Sequence, residues 1–533
     1  MEDKFVKWFN TTGPCVPDKH YMLPVLPRLP GVDEMIDKES YFILHAPRQS
    51  GKTTFIKALT DKINKDGQRY ALNCSLANLR NVTDKNEALT LIVSQLNESM
   101  LSSKLEIFKQ KADTYDSLPG MTAPDRKVKR LLNHLCQDLD KPLLVFFDEA
   151  DLLIGPGLLT FLAQIRDGFN NRDNETNKFP SSLALIGTRN IRDYLASENP
   201  DSLGQHLASP FNIVAERMTL ANFTEREIGT LYRQRTLATG QVFEDSAIAK
   251  AWRWTEGQPW LVNALAKEVV TKQLNNDYSV TITKDHVDKA AEILIQGRDT
   301  HIDSLLERLK DPRVIKVMDG VFSGSISKVP YRRDDRQYCI DLGLVNEQEN
   351  GALKPANQIY QEVISRVITD EVQHILNINL ERQKWSDGKT LFISELLKEI
   401  QQFFRHNSDS FPLRNKDLTA NKYDEATFSF MLLAYFQFAF NGSALIHRQF
   451  AEGRGSVDLS VLYHGKEYLV EAKLKENTTL PKSLNQIAGY LDKAGESEGW
   501  IVIFDRSQKK SWDEKIYWET QDYNGKTIHV VGC

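Results

Sequence analysis

Apolar positions in the first 35 residues are interrupted by Pro14, Pro17, Pro24, Pro27 and Pro30. Each proline removes a backbone donor and clashes with the preceding turn, so an irregular strap is expected there rather than a long helix. The apolar run Tyr41–His45 has strand length. Ala46-Pro47-Arg48-Gln49-Ser50-Gly51-Lys52-Thr53-Thr54 follows, then an amphipathic stretch from Thr53 to Lys65, which predicts strand, loop and helix. Residues 84–140 are helical in pattern, interrupted near Pro119–Pro124. Leu143–Phe147 is a second apolar run, ending in Asp148-Glu149, and Leu183–Gly187 a third, ending in Thr188-Arg189-Asn190. Three buried-type strands separated by helical segments predict a parallel sheet with helical crossovers.

From about residue 216 the pattern turns helical. Phe223-Thr224 precedes an amphipathic run and reads as a capped helix start, and the Gly257-Gln258-Pro259 turn breaks the next helix. Residues 299–372 alternate short helices with a hairpin-like piece, Gly343–Leu353, which suggests a winged helix. Residues 373–415 carry helices and polar loops. An aromatic-rich helix runs from Tyr423 to about 440, followed by short strands with tight turns. The expected division is 1–215, 216–298, 299–372, 373–420 and 421–533. Trp252 and Trp254 are expected in the core, and Lys127–Arg130 on a helix surface. Arg332-Arg333 is expected to be structural rather than DNA-binding.

Composition narrows the class. At 533 residues, 41% hydrophobic and 26% charged, the chain reads as a soluble globular protein of about three or four domains. A net charge of −5 argues against a globally basic nucleic-acid coat but leaves room for a local basic groove. No run of 18 apolar residues exists and MEDKFVKWFN has no apolar signal region, so no membrane partner and a cytoplasmic location are expected. The five cysteines are odd in number and form no Cys-x-x-Cys pair, which makes a disulfide framework or a zinc site a poor expectation.

The stretch from Ala46 to Thr53 has Walker A spacing with alanine in place of the first glycine, a position where positive φ would suit alanine poorly. A loop that opens a helix aims several N–H groups at one point, where the helix dipole adds positive charge. Arg48, Gln49, Ser50, Gly51 and Thr54 would then surround a phosphate. Lys52 would reach the β- and γ-phosphates, and the Thr53 hydroxyl would ligate Mg²⁺. At the tip of the second strand, Asp148 would hold the Mg²⁺ shell and Glu149 would orient and deprotonate water. Asp151 reads only as a helix-start residue. Thr188, Arg189 and Asn190 either sense the γ-phosphate or form an ordinary surface loop.

Phe9-Asn10-Thr11-Thr12-Gly13-Pro14-Cys15, His20-Tyr21-Met22-Leu23-Pro24 and YFILHAPRQSGKTT resemble bacterial AAA-like ATP-binding proteins close to the STAND signalling NTPases. Ser209-Pro210-Phe211-Asn212, Asn222-Phe223-Thr224 and Thr255-Glu256-Gly257-Gln258-Pro259-Trp260 resemble the later blocks of that family, over about residues 5–370. The resemblance implies ATP or ADP as ligand, Pro259 near the adenine, and nucleotide exchange or slow hydrolysis in place of fast turnover. The family's HAPRQ loop itself carries alanine.

The densest chemistry lies in GRGSVDLSVLYHGKEYLVEAKL. Val457–Tyr463 and Lys466–Leu474 alternate as strands around His464-Gly465, a two-residue hairpin signal. Counting inward from that turn puts Asp458 opposite Glu471, with Lys473 on the same face. Two carboxylates this close require a cation between them, and oxygen ligands suit Mg²⁺ or Mn²⁺. Lys473 would act on a metal-bound water and on the phosphate, in metal-assisted phosphodiester hydrolysis. The spacing Asp458…Glu471-x-Lys473 resembles the PD-(D/E)xK nucleases, with Gly455-Ser456-Val457-Asp458 at the first half. That resemblance, over about residues 420–533, implies a helix carrying Gln486 and Tyr490, a core strand Trp500–Asp505, and a supporting acid, Glu425.

The expected fold class is therefore α/β multidomain. A P-loop parallel-sheet ATPase with helical lid and winged helix precedes a restriction-endonuclease-like domain. The expected function is an ATP-dependent switch over a nuclease, acting on DNA more readily than RNA, with a second copy of the chain or an accessory protein as further partner. A bacterial anti-phage defence effector suits that combination. An ATP-driven repair or mobile-element nuclease, and a nucleotide-gated scaffold with an inactive nuclease fold, stay open as alternatives.

Overall fold

The computed structural model describes residues 6–112, 123–188, 213–297, 300–323, 333–349, 351–366, 385–407, 425–440, 444–447, 458–476, 478–505, 507 and 510–533. Two compact units result, Met1–Ala291 with Arg333–Val345, and Glu292–Arg332 with Asn346–Cys533. No helix among the described residues is long and apolar enough to cross a membrane.

The first unit is built on five strands, β1 (Tyr41–His45), β2 (Tyr70–Ser75), β3 (Leu143–Asp148), β4 (Ser182–Gly187) and β5 (Val214–Thr219). They pair in parallel in the order β2-β3-β4-β1-β5. The alternation of side chains sorts the core onto two faces. Tyr41, Ile43, Val145, Phe147, Leu183 and Leu185 pack against the helices Lys85–Leu101, Lys127–Asp138 and Gly155–Asn170. Phe42, Leu44, Leu144, Phe146, Ala184 and Ile186 pack against the helix Lys52–Asp66. Burial on both faces is why the three central strands are continuous apolar runs. The sheet has two strands more than the sequence pattern predicts. Both are edge strands, and polar residues blur them: Asn73 and Ser75 in β2, Glu216 and Arg217 in β5.

The helix Glu225–Thr239 opens on a capping box between Thr224 and Glu227. The helix Asp245–Thr255 ends at Glu256 and Gly257, both with positive φ, and Pro259–Lys267 begins a new one. Trp254 is buried at 2% exposure, but Trp252 is 36% exposed. Two positions along a helix do not share a face, so Trp252 does not join the core as expected. In the 299–372 stretch lie the helices Thr300–Arg308, Pro312–Ser323 and Arg333–Asp341, and two short paired strands, β6 (Val345–Glu347) and β7 (Leu353–Pro355). Arg332 lies outside the described residues.

The second unit carries a mixed six-stranded sheet: β8 (Leu445–His447), β9 (Leu459–Tyr463), β10 (Lys466–Leu474), β11 (Glu498–Phe504), β12 (Tyr517–Tyr523) and β13 (Lys526–Gly532). Their order is β12-β13-β11-β10-β9-β8, with β10, β11 and β13 parallel. Val470, Ala472, Trp500, Val502 and Val531 pack on one face with the aromatic-rich helix Glu425–Phe440. The helix Ile393–Asn407, expected in a linker, adds Leu396, Leu397, Ile400 and Phe404 to that same core. Leu469, Ile501, Ile503, Ile528 and Val530 meet the helix Leu480–Ala494 on the other face.

Just past the end of β11, the Asp505 side chain is 8% exposed, 2.8 Å from Lys510 and 3.2 Å from Lys475. Burial pushes its carboxyl up, but the Lys510 ammonium, the Ser507 amide and Lys475 outweigh burial and bring it to about 2. A carboxyl depressed below its ordinary 3.8 stabilises the fold above about pH 4, and that contribution is lost as pH falls through about 2. Asp505→Asn is expected to be less stable than wild type at neutral pH, with the gap closing in acid. Urea melts at stepped pH measure this, and a gap independent of pH would refute it.

Candidate functional site

The segment between β1 and the helix Lys52–Asp66 turns on two left-handed residues, Gln49 (φ 58) and Gly51 (φ 93). Ala46 is not one of them. It is fully buried, and its N–H donates to the Gly187 carbonyl at 3.2 Å, so alanine there costs the loop nothing and the expected penalty does not arise. Lys52 Nζ lies 2.6 Å from the Ala46 carbonyl and 2.8 Å from that of Pro47, arched over the loop. Behind the loop, a Cβ on Gly343 (φ 70) would overlap the Pro47 ring, and Asp341 Oδ1 lies 3.7 Å from His45 Nε2. The loop therefore rests on a segment some three hundred positions further along the chain.

β3 brings Asp148 to this loop from across β4. Thr53 Oγ1 donates to Asp148 Oδ2 at 2.8 Å, which joins the two residues expected to ligate Mg²⁺. Burial raises the Asp148 carboxyl, against the Thr53 hydrogen bond and the Lys52 charge. Glu149 is left-handed at φ 59, an uncommon conformation for a residue with a side chain. Its carboxylate accepts a 3.0 Å hydrogen bond from Ser75, at the end of β2. Asp151 does more than start a helical turn: its carboxylate takes the Thr188 hydroxyl at 2.6 Å and lies close against Gly187. Arg189 and Asn190 lie outside the described residues.

A cavity of about 290 Å³ opens here. Arg48, Gln49, Gly51, Lys52, Thr53, Thr54, Asp148, Glu149 and Pro259 line it, which brings together most of the expected nucleotide residues. Ser50 is absent from the wall, and among the described residues its buried hydroxyl has no partner. The wall also contains residues that sequence reading gave no role: Asn10, Thr11, Gly13, Pro14 and Cys15 from the strap, with Arg80, Trp260 and Asn263. Asn10 shapes the strap by accepting from the Thr12 N–H and donating to the Gly13 carbonyl, both at 3.1 Å. Trp260 Nε1 donates to the Thr11 carbonyl at 2.8 Å, and the Cys15 N–H donates to Thr54 Oγ1 at 3.1 Å. The Asn-Thr-Thr-Gly-Pro turn signal was visible in the sequence, but not what the turn would face.

A second polar cluster sits in the other unit. His464 (φ 47) and Gly465 (φ 82) form the two-residue turn, with Tyr463 paired to Lys466 and the ladder running to Leu459 and Val470. One step further, the Asp458 N–H lies 3.3 Å from Glu471 Oε2, and Asp458 Oδ2 accepts from the Ala472 N–H at 2.8 Å. Lys473 Nζ is 2.6 Å from Glu471 Oε1 and 3.8 Å from Asp458 Oδ2. Glu471 shares the sheet face of Leu469, under the helix Leu480–Ala494, which explains why Gln486 Nε2 donates to Glu471 Oε1 at 2.7 Å and also reaches the Tyr490 hydroxyl at 3.1 Å. Glu471 is fully buried, and burial together with the Asp458 carboxylate holds its carboxyl well above the ordinary range, against the Lys473 ammonium. Burial also raises the Tyr490 hydroxyl. Glu425 opens its helix, but its side chain lies outside what is described, as do residues 455–457.

In fold the chain is similar to the Walker-type ATPase PABY2304 of Pyrococcus abyssi, at 16% identity over 67% of this chain and 99% of that one, with a TM-score of 0.47. It is also similar to Aeropyrum pernix ORC1 in complex with DNA (13% identity, 66% and 95% covered, TM-score 0.33) and to the Thermotoga maritima RuvB Holliday junction branch migration motor (16%, 61% and 87%, 0.32). No curated protein matches the chain. Residues 390–508 match a domain of unknown function, DUF8371. Residues 31–366, which contain the phosphate loop, the Asp148-Glu149 strand end and the 257–259 turn, match the AAA-like domain, and the chain belongs to that family.

Proposed function

We propose that the chain is an ATP-dependent switch whose second unit is a metal-dependent nuclease acting on DNA. In this reading residues 216–298 are a helical lid, 299–372 a winged-helix module and 421–533 a restriction-endonuclease-like domain. An effector of anti-phage defence suits such a pairing, because an unregulated nuclease would harm its own cell. The observation that carries the nuclease reading is the convergence of Asp458, Glu471 and Lys473 on one strand pair, with Gln486 on Glu471.

The nucleotide half rests on the phosphate loop and on Asp148 beside Thr53. Thr53 and Asp148 would hold Mg²⁺, while Lys52 neutralises the outer phosphates. In this reading Glu149, now held by Ser75, would take a proton from water. Glu149→Gln is expected to keep Mg·ATP binding and to slow hydrolysis at least about a hundredfold, since an amide cannot accept that proton. Asp148→Asn is expected to weaken the Mg²⁺ dependence instead. Single-turnover hydrolysis separates these, and an unchanged rate in Glu149→Gln would place the base elsewhere.

In the second unit, Asp458 and Glu471 form an all-oxygen donor pair that fits a hard divalent ion, and their mutual repulsion favours a cation there. Bound Mg²⁺ or Mn²⁺ would supply Lewis acidity and an activated water. Lys473 would stabilise charge on the phosphate, and Gln486 would fix the Glu471 carboxylate. The rival reading, a scaffold with an inactive nuclease fold, draws on the burial of Glu471, whose Oε1 is already taken by Lys473 and Gln486. Cleavage assays on DNA and RNA, with Mg²⁺ or Mn²⁺ and with ATP, ADP or neither, decide between them. Cleavage in no condition would favour the scaffold.

A further inference from the structure

Arg28 ends a three-residue helical turn, Leu26–Arg28, and is only 7% exposed. Its Nη2 donates to the Ala221 carbonyl at 2.5 Å, and its guanidinium carbon lies 4.8 Å from the centre of the Phe223 ring. On its other side is the phosphate loop: a Cβ built on Gly51 would come within 3.1 Å of Arg28 Nη1. Gly51 suits its left-handed backbone, and a side chain there would press on the Arg28 guanidinium, which would have to shift by a few tenths of an ångström. Burial lowers the guanidinium to about 10, with Glu227 opposing, so Arg28 stays charged at neutral pH. Among the described residues its Nε has no hydrogen-bond partner. A buried cation that bonds one carbonyl, faces one aromatic ring and has Glu227 as its charge partner is costly to keep, which points to a role beyond packing.

Phe223 continues the connection. Its N–H donates to the Gly257 carbonyl at 2.9 Å, and a side chain at Gly257 would overlap the Phe223 carbonyl, so the two backbones are locked together. Two and three residues on, Pro259 and Trp260 line the cavity. Gly51, Arg28, Phe223 and Gly257 therefore join the phosphate end of the cavity to the wall made by Pro259 and Trp260.

We propose that Arg28 is a positioning residue for the nucleotide: it ties the phosphate loop to the 221–260 segment and so sets how long a bound nucleotide is retained. The proposal rests on the nucleotide-binding reading above. Lysine at this position keeps the charge but cannot bond Ala221, face Phe223 and meet Gly51 at once. The test is the dissociation rate of a fluorescent ADP from the full chain, chased with excess ADP, in Arg28→Lys, Arg28→Met and Phe223→Leu. Each is expected to release ADP about tenfold faster, the size of one lost charge-assisted contact. Arg28→Met combined with Phe223→Leu is expected to be no faster than the faster single variant, because both break the same link. A merely structural role would lower the melting temperature without nucleotide and leave the release rate unchanged. Wild-type release rates in folded Arg28→Lys and Arg28→Met, or additive effects in the double variant, would overturn the proposal. If Arg28→Met does not fold, Arg28→Lys and Phe223→Leu decide it in the same way. Failure of the wild type to bind fluorescent ADP at all would instead overturn the nucleotide reading.

Discussion

If the second unit is the nuclease proposed above, Asp458→Ala and Glu471→Ala are each expected to reduce divalent-dependent DNA cleavage by about a thousandfold or more, on the order seen when one member of a cooperating catalytic set is removed. Each deletes one side of the same oxygen pair, so the double variant loses little more than either single one. Lys473→Ala separates binding from chemistry. Its ammonium contacts Glu471 at 2.6 Å and would act on water and phosphate, so this variant is expected to bind the ion without cutting. All three variants are expected to bind ATP as the wild type does, because that cavity is lined only by residues of the other unit. The measurement is cleavage by folded variants under conditions where the wild type cuts. Undiminished cutting by Asp458→Ala or Glu471→Ala would remove this cluster as the active site.

Lys52→Ala has the second large effect. The variant loses the lysine that arches over the loop, and ATP affinity is expected to fall about a hundredfold, because the charge-assisted contacts that Lys52 would make to the β- and γ-phosphates go with it. At an ATP concentration about a hundred times the wild-type Kd, stabilisation drops from about 2.7 kcal/mol to about 0.4 kcal/mol. Calorimetric titration and thermal melts with ATP read both quantities. Wild-type affinity in a folded Lys52→Ala protein would end the phosphate-loop assignment.

The parts of this molecule legible from sequence are those in which local rules and burial agree. β1, β3 and β4 are buried on both faces and leave uninterrupted apolar runs, whereas β2 and β5 at the sheet edges mix in polar residues and leave no such trace. The meeting of Asp458 and Glu471 was legible because a two-residue turn fixes the register on both sides of it. Ser75 on Glu149 was not, since that contact depends on an edge strand the pattern hides. Nor was the strap: Thr11 meets Trp260 across some 250 positions, and no periodicity encodes a pairing of that length. Asp151 looked like a helix-start residue because its partner, Thr188, belongs to a different crossover.

The packing of Pro47 against Gly343 also bears on biosynthesis. The two residues are separated by 296 positions, so at roughly 5–20 residues per second the loop waits about 15–60 s on the ribosome before its backing is made. Asp458 and Glu471 come later still, more than a hundred residues after Gly343. Synthesis therefore completes the phosphate loop, backing included, before the C-terminal carboxylates exist, so the order of the chain lets the first unit fold around its loop ahead of the second cluster.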